Sequence, residues 1–99
     1  MAYRIKLLPE AEDDLAAIYA YIRDNGSPDI ARGYIGRIQA FLRGFDTFPE
    51  RGTPRDDIRP GLRIVGFERR VTVAFVVEGE EVIFSNILYG GRQLPDLAE

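Results

Sequence analysis

The sequence has no cysteine and no histidine, and its single lysine is Lys6. Without cysteine there is no disulfide bridge and no thiol nucleophile. Without histidine there is no zinc site of the Cys/His kind and no Ser-His-Asp or Cys-His triad. The usual general base near neutral pH is missing too. Chemistry is left to Arg, Asp, Glu, Tyr, Ser, Thr and Lys6, and neither a metal nor a cofactor is expected. The lack of cysteine fits the cytoplasm. No apolar run approaches the roughly 20 residues of a membrane helix, so no membrane association is expected. The N-terminus runs straight into an alternating pattern, and no signal peptide is expected.

The 99 residues are enough for one domain, 1–99, with 45% hydrophobic and 29% charged residues. A domain of this size buries only about two-thirds of its unfolded surface, so its margin of stability is small. The net charge of −3 hides an asymmetry. Residues 31–70 hold nine of the arginines, from Arg32 to Arg70, against the five acids Asp46, Glu50, Asp56, Asp57 and Glu68. Arginine is always charged and forks onto carboxylate or phosphate. A solvated surface with ion pairs and a functional anion or carboxylate site both remain open.

Periodicity sets out the elements. Tyr3, Ile5 and Leu7 alternate with Arg4 and Lys6, which predicts a half-buried strand. Pro9 suits the first turn of a helix, and Glu10, Glu12, Asp13 and Asp14 complement its dipole. Ala11, Leu15, Ile18 and Ile22 follow at helical spacing, and Asn25-Gly26 is a stop. Ser27-Pro28 starts a second helix, striped by Ala31, Ile35, Ile38, Leu42 and Phe45 and ending near Phe48-Pro49. Inside it, Gly33 and Gly36 each cost about 1 kcal/mol against alanine, explained by close packing or by simple tolerance. Pro49 to Gly61 is a loop with three prolines. Leu62–Phe67, Arg70–Val77 and Val82–Tyr89 read as strands, the middle one covered on both faces, with a hairpin turn at Gly79. The fold class is therefore α+β. An N-terminal strand and an antiparallel helical hairpin precede a three-stranded antiparallel meander, all in one antiparallel sheet. The first strand joins at or next to an edge.

These pieces occur in a recognisable order: LLPEAEDDLAAIYAYI, then A-x-x-Y-I, FPERG, RPGLR and a closing ILYGGRQ. The chain resembles the ParE-type toxins of bacterial type II toxin–antitoxin systems, within the ParE/RelE superfamily, over nearly its whole length. Pro9-Glu10-Ala11, Asp14-Leu15, Ile18 and Tyr21-Ile22 match the opening helix. Pro49, Gly52, Gly61, Leu62 and Arg63 match the passage from helices to sheet. Leu88, Gly90 and Arg92 match the last strand and its exit. The resemblance implies a small toxin held inactive by a cognate ParD-like antitoxin encoded beside it, in a heterotetramer or larger hetero-oligomer. ParE-type members are associated with blocking DNA gyrase and RelE-type members with cutting messenger RNA on the ribosome.

The residues bear on the RNA-cleaving chemistry, while gyrase as the target is what the resemblance implies. Metal-free RNA cleavage needs the 2′-hydroxyl deprotonated, the phosphorane charge neutralised and the leaving oxygen protonated. Arg63, Arg70 and Arg92 lie on or just past successive strands and are candidates for a converging positive cluster that contacts the target or an anion. Arginine is a poor proton shuttle, and residues 93–99 contain no Tyr, His or Lys. The gyrase reading needs no proton chemistry in the toxin, no catalytic residue and no direct binding of nucleic acid by the toxin alone. The alternatives are a metal-independent endoribonuclease and a non-toxic antitoxin-binding relative. For Arg63 and Arg70 a structural role, tying down the loop through Asp56, Asp57 or Glu68, stays equally open. A disordered antitoxin tail adds a helix to a groove or a strand to a sheet edge. The helical hairpin has more aromatics than one core stripe needs, Tyr21 among them, and Tyr19, Tyr34, Phe41 and Phe45 are the candidate antitoxin contacts.

Overall fold

A computed structural model describes residues 2–90. β1 (Arg4–Leu7) leads into α1 (Pro9–Asn25) and α2 (Pro28–Arg43), followed by a short 3-10 turn, Gly44–Asp46. β2 (Thr53–Pro54), β3 (Arg63–Phe67), β4 (Val71–Glu78) and β5 (Glu81–Tyr89) complete the chain's described elements. The class is α+β, as the sequence predicts.

The helix boundaries follow local chemistry. Pro9 takes the first position of α1, where no amide donor is needed. The Ser27 hydroxyl accepts the Ile30 N–H at 3.1 Å and caps α2, with Pro28 next to it. α2 stops earlier than its spacing suggests. At Gly44 the chain tightens into the 3-10 turn, which swings Phe45 into the core. Gly33 and Gly36 are exposed, and a Cβ on Gly36 would meet nothing within 4 Å, so tolerance and not close packing explains them.

The sheet order is β1-β5-β4-β3-β2. β3, β4 and β5 form the expected antiparallel meander, with a bulge at Ala74/Phe75. Two details differ from the expectation. β1 sits at the edge but runs parallel to β5, so the sheet is mixed. The Pro-rich loop contributes a two-residue strand, β2, paired with β3. A four-residue alternation carries no sign of direction, and two residues carry no period at all.

The helical hairpin covers one face. Val71, Val73 and Phe75 point to it, together with Val82, Phe84 and Ile87, and all are buried. On the other face only Ala74 of β4 is buried, while Thr72 and Val76 are half-exposed. The expectation that this strand is covered on both faces therefore fails. Its β-branched residues fit a pleated central strand without double burial. α1 lies close on β5 through the fully buried Ala11. α2 stands off on larger rings. Phe45 meets Phe75 and Phe84 at centroid distances of 5.1 and 5.3 Å, and Phe41 meets Phe67 at 4.8 Å. Burying one such ring contributes about 1.5–3 kcal/mol.

Candidate functional site

Of the candidate arginines, the two among the described residues, Arg63 and Arg70, stand at opposite ends of β3. Arg63 opens β3 opposite Phe75 on the hairpin side, half-buried. Its Nε donates to the Arg51 carbonyl at 3.0 Å, which fastens the Pro-rich loop. The anchor is a backbone oxygen and not one of the acids expected from the sequence. Asp57 instead accepts from Nε and Nη2 of Arg55, at 2.9 and 2.8 Å, and Asp56 accepts the Gly61 N–H. The Arg51 guanidinium lies 3.8 Å from the centroid of the Phe45 ring. Arg70 sits at the other end of β3, in the turn leading to β4. Its carbonyl accepts the Gly90 N–H at 2.8 Å. Arg92 lies outside the described residues.

Around Arg70 the chain builds a cleft of about 370 Å³ between α1 and the C-terminal end of β5. Ala17, Ile18 and Tyr21 form one wall, Ile87, Tyr89 and Gly90 the other, with Asp14 and Arg70 beside them. Asp14 does more than complement the helix dipole. Its Oδ2 accepts the Ile87 N–H at 2.8 Å and ties α1 to β5. The rings of Tyr21 and Tyr89 are 5.7 Å apart, and those of Tyr34 and Tyr89 5.9 Å.

Arg37 and Glu68 flank this region. Arg37 donates to both carboxylate oxygens of Glu68, at 2.9 and 3.1 Å, and lies 5.0 Å from the centroid of Tyr34. That hydrogen-bonded guanidinium holds the Glu68 carboxyl below the usual carboxylate range. Burial pushes the Tyr34 phenol above its ordinary value, and its hydroxyl has no hydrogen-bond partner among the described residues.

The candidate aromatics separate by burial. Phe45 is 0% exposed and belongs to the core, so it has no surface to offer a partner. It looked surplus because a helix stripe does not reveal how many rings the sheet side needs. Tyr34 shows only 9% of its surface, and Phe41 is half-buried between Phe45 and Phe67. Tyr19 is half-exposed beside Arg23. Tyr21, 56% exposed, is the open aromatic of α1. Sequence reasoning missed the positions of Tyr89 and Asp14 in the cleft. Only the β5–α1 register brings them together, and no local motif reports it.

These features define a small α+β domain with an open, aromatic cleft that carries Asp14 and Arg70. The same fold occurs in the solved chromosomal ParDE toxin–antitoxin system from P. aeruginosa. The TM-score is 0.79, covering 90% of this chain and 97% of that one at 24% identity. Toxin ParE3 of Caulobacter vibrioides is 30% identical over 81 residues, which is 82% of this chain and 80% of that protein. The family model for the ParE toxin of the type II toxin–antitoxin system parDE matches residues 5–94. The chain belongs to this ParE toxin family.

Proposed function

We propose that this toxin is neutralised by direct binding of a cognate ParD-like antitoxin and that, when free, it acts on DNA gyrase and blocks replication. The setting is the cytoplasm, and the complex is a hetero-oligomer with at least two copies of each chain. The observation that favours gyrase over RNA cleavage is the separation of Arg63 from Arg70. Arg63 is positioned by the bond from its Nε to the loop carbonyl of Arg51, and Arg70 stands at the opposite end of β3. Among the described residues, the positive cluster that a phosphorane would need is not assembled. A toxin that works by gripping its target needs no such cluster. For the antitoxin, the support is the family together with the cleft and the exposed Tyr21.

The test uses purified proteins. The free toxin is expected to inhibit supercoiling by gyrase, and addition of the antitoxin encoded beside it is expected to restore supercoiling. Undisturbed supercoiling together with cleavage of ribosome-bound messenger RNA would replace this reading with the endonuclease one.

A further inference from the structure

We infer that the cleft between α1 and the end of β5 is the anchor point of the antitoxin, and that it takes an apolar side chain with a carboxylate close by in the same segment. The inference rests on the neutralisation reading above and adds the chemistry of the contact.

The cleft asks for an apolar group. Ala17, Ile18 and Ile87 leave a volume of about 370 Å³. That is room for one large side chain, with part of its neighbour. The tilted rings of Tyr21 and Tyr89 stand beside it, 5.7 Å apart. Tyr21 keeps 56% of its surface in water, and covering it removes apolar area at little entropic cost.

The rim asks for an acid. Among the described residues the Arg70 guanidinium makes no ion pair or hydrogen bond, and Arg69 next to it makes none either. The nearby acids are committed. Glu68 is forked by Arg37, and one oxygen of Asp14 is taken by the Ile87 N–H, although Asp14 keeps its charge. Among the described residues, Arg37, Arg69 and Arg70 outnumber Asp14 and Glu68 at the mouth, although the whole chain carries −3. A carboxylate arriving with the apolar residue can take a bidentate bond from Arg70. A second copy of this chain would bring its own Arg69 and Arg70 to the same face, and like charges oppose that pairing.

The experiment titrates wild type, Ala17→Trp, Arg70→Glu and Arg43→Ala with the full-length antitoxin encoded beside the toxin. Circular dichroism melts check that each variant is folded. Ala17 is an exposed helix position, so tryptophan there fills the cleft without entering the core. Ala17→Trp and Arg70→Glu are each expected to raise Kd about tenfold or more, and Arg43→Ala to leave it within about twofold. Added salt is expected to weaken the wild-type complex more than the Arg70→Glu complex. Wild-type affinity in both cleft variants would overturn the inference and leave neutralisation standing. No binding by wild type would remove both. Variants that lose self-association or oligonucleotide binding, while holding the antitoxin normally, would assign the cleft to another occupant and also overturn it.

Discussion

Arg37 grips both carboxylate oxygens of Glu68, at 2.9 and 3.1 Å, and so ties α2 to the turn between β3 and β4. That turn is unusual. Glu68 and Arg69 have φ of 50° and 64°, the only positive values outside glycine among the described residues. The loop holds three residues, Glu68 to Arg70, between the paired Phe67 and Val71, and left-handed positions in such hairpins are normally given to Gly, Asn or Asp. The left-handed backbone costs these side chains energy, and strain of this sort persists where surrounding contacts fix it. Here it sets the position of Arg70, the residue at the rim of the cleft.

The ion pair gives stability a definite pH sense. Arg37 lowers the Glu68 pKa in the folded state. Its contribution is present above the unfolded value, about 4.3 for glutamate, and is lost as pH falls through the folded value. Wild type is expected to melt above Arg37→Ala at pH 7, and the gap is expected to close in acid. Melting curves across pH measure this directly. A gap that stays constant into strong acid would mean that the pair contributes nothing through charge.

Two glycines are expected to respond in opposite directions. Gly52 has φ of 84°, and a Cβ there would run into the Ile64 carbonyl across the β2–β3 pair. Gly52→Ala is expected to destabilise by more than about 1 kcal/mol. Gly36 faces open space on α2, so Gly36→Ala is expected to stabilise by about 1 kcal/mol through helix propensity. Urea titrations of both variants would reveal either sign being wrong.

Tyr34 offers a third check. Its hydroxyl is buried with no partner among the described residues, so Tyr34→Phe is expected to stabilise the free toxin by about 1 kcal/mol. Burial raises the phenol pKa. The neutral form is therefore favoured by folding. Its contribution is complete below the unfolded value of about 10 and disappears as pH rises through the folded value. Alkaline melts are expected to fall more steeply for wild type than for the variant. Parallel curves would contradict the assignment.

The parts legible in the sequence were those written in short-range spacing. The Asn25-Gly26 stop, the Ser27 cap and the Gly79 hairpin all appear where the residues place them. The resemblance to ParE toxins added the family, now established over residues 5–94. Contacts between distant segments were not legible. Nothing local says that Asp14 reaches Ile87, that β1 runs parallel to β5, or that Arg63 ends on the Arg51 carbonyl. Phe45 reads in the sequence both as part of the α2 stripe and as a surplus ring, and only the first reading holds. The α2 stripe continues through it, while its burial is decided by Phe75 and Phe84 on the sheet. The turn at Glu68-Arg69 had no signal at all, because neither residue is typical of a left-handed pair.

Pulse-labelling after induced expression without antitoxin tests the central claim most directly, with DNA and protein synthesis followed in parallel. The account predicts that DNA synthesis stops first. Protein synthesis stopping first would contradict it, and would mean that the separated arginines serve an RNA-cleaving site after all.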